Sequence, residues 1–299
     1  MGVDLEFFTD PTAFLAAAGD RLIESPVEST VVATIAERAA HELADGIAQP
    51  EHDWYVVARD GSHSGDVVGV GMRTAPFEPR PLYLLTMPDE AATALAVALF
   101  ERGEEVRGAN GALPASRVFA EETARLSGRA ARVHIHTRLF ELRELTPPST
   151  DVSGRLRAAV HDDLELVKAW YAAFMRDADE QAGRPPGSGH DEDVDDDVML
   201  RRIDDGRVWF WVDGDKRPVH VTGTNPPSFG VARIGPVYTP REERGRGWAS
   251  AAVAEVSRRM LDEGSRPCLF TDQANPTSNG VYVALGYQPV VDTVHMLID

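Results

Sequence analysis

The residues most able to do chemistry lie in one stretch, VYTPREERGRGWASAAVAEVSRRMLDEG. An extended apolar run, residues 234–239, leads into a basic turn interrupted by glycine, Arg244-Gly245-Arg246-Gly247, and directly into an alanine-rich segment whose spacing predicts a helix over residues 245–263. Strand, turn and helix in that order make an anion site, because the first turn of a helix has N–H groups without partners and the macrodipole places partial positive charge there. Gly245 and Gly247 allow close backbone approach and positive φ, while Arg244 and Arg246 add charge. The pattern fits a diphosphate. It matches neither nucleotide fingerprint: no G-x-x-x-x-G-K-[ST] exists, and Gly245-x-Gly247 is followed by Ser250 where a dinucleotide loop needs glycine. A solvated helix cap is the other reading of these four residues.

A second segment, TDQANPTSNGVYVALGYQPV, changes the balance. Arg244, Gly247 and Ala249 in R-x-x-G-x-A, followed by Asn275-Pro276-Thr277-Ser278-Asn279 and then Tyr282, Gly286 and Tyr287, closely resemble the GNAT superfamily of acyl-coenzyme-A-dependent N-acetyltransferases. The resemblance covers residues 155–299 and implies acetyl-CoA as acyl donor, an amine as small-molecule acceptor, and direct attack in a ternary complex. It implies that Val237, Tyr238 and Thr239 offer strand-edge groups to the pantetheine arm, as another strand would. Gly245, Arg246, Gly247, Trp248, Ala249 and Ser250 would donate N–H groups to the diphosphate, with Arg244 beside them. Asn275 and Ser278 would contact the coenzyme from the next strand end, and Tyr282 would protonate the leaving thiolate. Two structural alternatives stay open: Tyr282 as a packed helix residue, and Asn275 as the N-cap before Pro276. No metal is implied.

The departure from the family is the base. An amine of pKa near 10.4 is about 0.04 % neutral at pH 7, a cost of roughly 4.6 kcal/mol, so a carboxylate or relayed water is normally needed. The strand around residues 231–239 carries no acidic residue; Asp272 and His220 are the candidates, each with a structural alternative as a turn cap or a hydrogen-bonded core histidine. If neither serves, the chain is an acyl-CoA-binding or structural protein.

These residues need a scaffold, and the pattern along the chain describes one. Residues 11–45 read as two helices broken at Ser25-Pro26, and short β-branched runs follow from Trp54: WYVVARD, DVVGVGMRT and RPLYLLTMP. A helix from Asp89, the VRGANG segment, a helix from Ala115 and the strand RVHIHTRLFELREL complete β-β-β-α-β-α-β. After TPPSTDVSG, the best linker in the chain, the second half reads β-α-α-β-β-β-α-β-α-β, with a hairpin turning at Asp213-Gly214. The expected fold class is α/β (α+β): tandem GNAT folds, each a mixed, mostly antiparallel sheet flanked by helices. The expected domains are 1–147, a degenerate copy in which Met87-Pro88-Asp89-Glu90 replaces the arginine-glycine loop, and 148–299, the catalytic copy. The acidic run HDEDVDDD at 190–197 lacks the glycine and glutamate of a calcium loop and reads as a rim attractive to a cationic amine. His134 and His136 share a strand face without a third ligand, and Trp209 and Trp211 share another, with core packing as the default.

The chain has 299 residues, long enough for two domains, and its 43 % hydrophobic content argues against wholesale disorder. A net charge of −18 disfavours nucleic acid or an anionic membrane as partner. Cys268, the single cysteine, excludes an internal disulfide and sits in an apolar run as a buried strand thiol. The first ten residues, MGVDLEFFTD, lack the basic and apolar regions of a secretory signal, and residues 91–100 are too short for a bilayer span, so a cytoplasmic protein is expected. The acceptor's identity and the oligomeric state have no readable code; a homodimer is compatible.

Overall fold

A computed structural model describes residues 2–61, 65–76, 78–149, 152–181 and 195–299. The chain forms two compact units, Met1–Leu139 with Val290–Asp299, and Phe140–Pro289.

The first unit contains β1 (Val3–Phe8), α1 (Pro11–Glu24), α2 (Thr30–Ala44), β2 (Trp54–Asp60), β3 (Val67–Arg73), β4 (Leu82–Leu84), α3 (Asp89–Glu101), β5 (Gly108–Ala112), α4 (Ala115–Ser127) and most of β6 (Ala131–Glu141). β1 is not among the elements expected from the sequence. Its alternation is nonetheless that of a strand: Val3, Leu5 and Phe7 pack on the core while Asp4 and Glu6 are exposed. α3 and α4 cover one sheet face through Leu95, Leu99 and Phe119, and on α1 Phe14 stacks on Tyr55 at 4.5 Å.

The second unit repeats the order: β7 (Arg155–Ala158), α5 (Leu164–Gln181), α6 (Asp196–Asp204), β8 (Val208–Val212), β9 (Pro218–Thr224), β10 (Val231–Tyr238), α7 (Trp248–Asp262), β11 (Arg266–Asp272), α8 (Pro276–Ala284) and the start of β12 (Gln288–Ile298). Its strands lie in the order β11-β10-β9-β8-β7, antiparallel except for the parallel pair β10 and β11. α7 and α8 cover one face through Trp248, Val253 and Tyr282, and α5 and α6 cover the other through Val167, Met199 and Ile203. Strand alternation sends Trp209 and Trp211 to the first face and Phe210 to the second, so the two indoles are packing residues.

The units divide at 139/140, inside β6, instead of at the proline-rich 146–154 segment. Phe140 and Leu142 are buried in the second unit, where Thr146 N–H donates to Leu285 O (3.0 Å) and Trp211 Nε1–H to Ser153 O (3.2 Å). Val294, Met296 and Ile298 of β12 are buried in the first unit, where β12 pairs with β5. Proline and small residues mark where a chain can turn; the burial of apolar side chains decides where a unit ends.

Candidate active site

The parallel pairing of β10 and β11 joins residues 231–233 to 266–268 and goes no further. β10 then bulges at Gly235-Pro236 between its Ile234 and Val237 contacts with β9, and its far end turns away from β11. The ends of the two strands wall a cleft of about 590 Å³. Val237, Tyr238, Thr239, Arg244, Gly245, Arg246, Gly247, Trp248, Ala249, Ser250, Asp272, Asn275, Ser278 and Tyr282 all line it. Residues as far apart as Val237 and Tyr282 thus meet in one place because parallel strands bring their carboxyl ends, and the helices that follow them, to the same sheet edge.

α7 begins at Trp248, so the predicted helix over 245–263 is shorter: Gly245 (φ 76°) and Gly247 (φ 84°) stay outside it in a conformation that a side chain resists. The first helical bond runs from Ala251 N–H to Gly247 O (3.1 Å), which leaves the N–H groups of Trp248, Ala249 and Ser250 without helical acceptors at the cleft. The Trp248 indole, 9 % exposed, is wedged into the core beneath them.

The two arginines of the turn are already engaged. Arg244 Nε donates to Thr239 O (3.0 Å) and its Nη2 to the Asp177 carboxylate, while Arg246 pairs with Glu243 at 2.8 Å. Asp177 also receives Arg241 (2.6 Å). Burial alone would raise the Asp177 pKa, but the two guanidinium groups outweigh it and hold the carboxyl below its ordinary range. Asp177, Arg241 and Phe174 escaped sequence reasoning, since α5 lies more than 60 residues upstream of the glycine turn and its acidic positions look like a solvated helix face.

On the opposite wall, Asn275 caps α8, its side chain accepting Ser278 N–H (3.1 Å), with Pro276 at the first helical position. Asp272 Oδ1 accepts Ala274 N–H (2.8 Å), and the Asp272 carbonyl accepts Asn279 Nδ2–H (3.0 Å). The capping alternatives for both residues are therefore realised, and the Asp272 carboxylate works as a turn cap at the cleft wall. Tyr282 is 7 % exposed, edge-on to Tyr287 at 5.9 Å, and burial pushes its phenol pKa well up, so it is a neutral donor at physiological pH.

His220 is not at the cleft surface. It is fully buried, its Nδ1 hydrogen-bonded to Thr239 Oγ1 and its Nε2 to Thr222 Oγ1 (both 2.7 Å), and burial drives its pKa down to about 3. It braces the end of β10 as a neutral ring. In the unfolded chain this histidine titrates near 6.5, so from there down to about 3 the unfolded state binds a proton that the folded state refuses. Stability is lost as pH falls through that window, by up to about tenfold in the folding equilibrium per pH unit. Urea unfolding at several pH values should show a shallower acid decline for His220→Gln than for the wild type; parallel declines would count against it.

Of the acidic run, residues 190–194 lie outside the described residues. Asp195 caps α6, and Asp196 pairs with Lys168. Cys268 is buried in β11, and His134 meets His295 edge-on at 5.1 Å. Among the described residues no group of three or more His, Cys, Asp or Glu side chains is placed to hold a metal, and no helix is long and apolar enough to cross a membrane.

Residues 225–296, from the hairpin's end through the cleft, match the family model described as FR47-like protein. The whole chain superposes on a GCN5-related N-acetyltransferase from Sphaerobacter thermophilus with a TM-score of 0.58 at 18 % identity, over 98 % of this chain and 94 % of that one. The chain thus has the fold of the GCN5-related N-acetyltransferases. A GNAT-family acetyltransferase from Colwellia psychrerythraea is similar over 99 % of both chains (TM-score 0.55, 11 % identity). A tandem GNAT protein from the clavulanic acid biosynthesis pathway covers 99 % of this chain and 98 % of its own (TM-score 0.51, 15 % identity). No curated protein matches the chain.

The first unit differs at the corresponding place. Its parallel strands β4 and β5 are paired to the end of β4, Leu84 opposite Gly111, and a Cβ on Gly111 would fall 2.0 Å from Leu84 O. Glu28 accepts the Thr86 N–H at 2.6 Å, and Asp89 and Glu90 occupy the first turn of α3. Three carboxylates around a helix start favour the helix and oppose an anionic ligand.

Proposed function

We propose that the second unit transfers an acetyl group from acetyl-CoA to an amine acceptor, and that the first unit is a degenerate copy. The observation that carries this reading is the parting of β10 from β11 beyond residue 233, with the glycine turn at its mouth and Tyr282 on its far wall. The fit to the coenzyme rests on that shape. A slot edged by the backbone of Val237, Tyr238 and Thr239 suits an extended pantetheine arm, and the N–H groups of residues 245–250 suit a diphosphate.

When bound, acetyl-CoA supplies the thioester: the C–N bond forms as the C–S bond breaks, and a proton passes from the amine to the thiolate. The chain's part is to hold both reactants on one platform, which lowers the barrier by removing translational and rotational freedom in advance. Tyr282, with its pKa raised by burial above that of a thiol, stabilises the departing thiolate by donating a hydrogen bond.

A second reading, a protein that binds acyl-CoA without turning over amines, draws support from the base candidates, since His220 is buried and Asp272 caps a turn. Thiol release from acetyl-CoA, measured over a panel of primary amines and paired with calorimetry of coenzyme binding, separates the two. Release with at least one amine is the expected result. Binding without release on any amine favours the second reading, and no binding overturns both.

A further inference from the structure

The glycine turn offers Arg244 as a cation for the coenzyme, yet its guanidinium spans two elements of its own unit. Nε donates to the carbonyl of Thr239, where β10 ends, and Nη2 donates to Asp177 on α5, 67 residues upstream. The Asp177 side chain is 11 % exposed, lines the cleft, and takes Arg241 on its other oxygen; Arg241 also pairs with Glu180. The Arg244 guanidinium lies 5.9 Å from the Tyr238 ring centre, while its side chain stays 38 % exposed.

The charges in this cluster, Asp177 and Glu180 against Arg241 and Arg244, cancel. A cluster of zero net charge adds little long-range attraction for a polyanion, so what it contributes is geometry. The turn between β10 and α7 has glycines at positive φ at 245 and 247, and nothing in their own preferences selects this one conformation. Arg244 sits immediately before them. A planar guanidinium held by a strand-end carbonyl and a nearly buried carboxylate fixes where the turn starts, and therefore where its N–H groups point.

We infer that Asp177 is a positioning residue for the coenzyme site: through Arg244 it ties α5 to the end of β10 and sets the glycine turn in its anion-binding conformation. This inference rests on the acetyl-CoA reading of the cleft and assigns a role in it to an element that the sequence pattern does not connect to it.

The test is a double-mutant cycle on acetyl-CoA affinity, by calorimetry with the full chain at a temperature where circular dichroism shows every variant folded. Asp177→Asn and Arg244→Gln are each expected to weaken binding roughly tenfold, and the double variant by no more than either alone, because both remove the same tie. Asp177→Glu, which keeps the carboxylate, is expected to recover most of the affinity. At saturating acetyl-CoA, kcat of Asp177→Asn for a responsive amine should stay within about twofold while KM for the coenzyme rises, since the effect lies in coenzyme binding. Unchanged affinity in Asp177→Asn overturns the inference, as does tighter binding, which would make Asp177 a competitor of the diphosphate. Losses that multiply in the double variant overturn it too. A wild-type chain that does not bind acetyl-CoA overturns the parent reading and the inference with it, whereas binding by the wild type that Asp177→Asn leaves unchanged overturns the inference alone.

Discussion

Arg244→Glu is expected to weaken acetyl-CoA binding by on the order of a hundred- to a thousandfold. The substitution places a carboxylate against Asp177 and the Thr239 carbonyl, where the wild type has a guanidinium bonded to both. Two like charges about 4 Å apart repel by about 4 kcal/mol at the effective dielectric of a protein surface, enough to displace the turn from the position that presents its N–H groups. The introduced negative charge also faces a polyanionic ligand. Neutral Arg244→Gln removes the tie without the repulsion and should lose far less, so the pair separates loss of geometry from gain of repulsion. Titration calorimetry with acetyl-CoA reads both, and undiminished affinity in Arg244→Glu would sink the assignment of the turn as the diphosphate site.

Tyr282→Phe is expected to lower kcat by about a hundredfold or more while leaving acetyl-CoA affinity within about twofold. The ring is buried in the second unit's core and meets Tyr287 edge-on, and phenylalanine preserves that packing. What is lost is one hydroxyl on the wall of the cleft. Because burial raises its pKa, the phenol stays protonated through the physiological range, so the alkaline limb of the kcat profile should not belong to Tyr282. Thiol release at saturating donor and acceptor checks the turnover. Unaltered kcat would leave Tyr282 as a packing residue, the structural alternative its sequence context also allows.

Much of this site is legible in the chain because its parts are local. Arg244 to Ser250 sit on one turn between a strand and a helix, and Asn275 to Tyr282 on another, so residue spacing alone implies both helix starts and the polar groups beside them. The repeated β-α-α-β-β-β-α-β-α-β order is almost as readable, since apolar period and glycine and proline punctuation are short-range signals. β1 shows the limit of even this: six alternating residues before the first helix carry too little signal by themselves.

The partners that these local parts would find were not legible. Spacing cannot tell that Arg244 is tied to Asp177, that Asp272 is occupied in capping, or that His220 is buried against two threonines, because each depends on which strands lie side by side. The unit boundary has the same origin: Pro147 and Pro148 look like a linker, but Phe140, Leu142 and the apolar face of β12 are assigned by the surfaces that bury them. The sequence by itself thus determined two similar α/β folds and the strand, glycine turn and helix of the second, through periods and caps spanning a few residues. Only the tertiary structure decided that the turn's arginine bonds to Asp177 and the Thr239 carbonyl, and that the second unit's strands part to form a cleft. Ion pairing and strand separation are properties of side chains and edges brought together from distant positions, where burial and hydrogen bonding, not spacing, set the outcome.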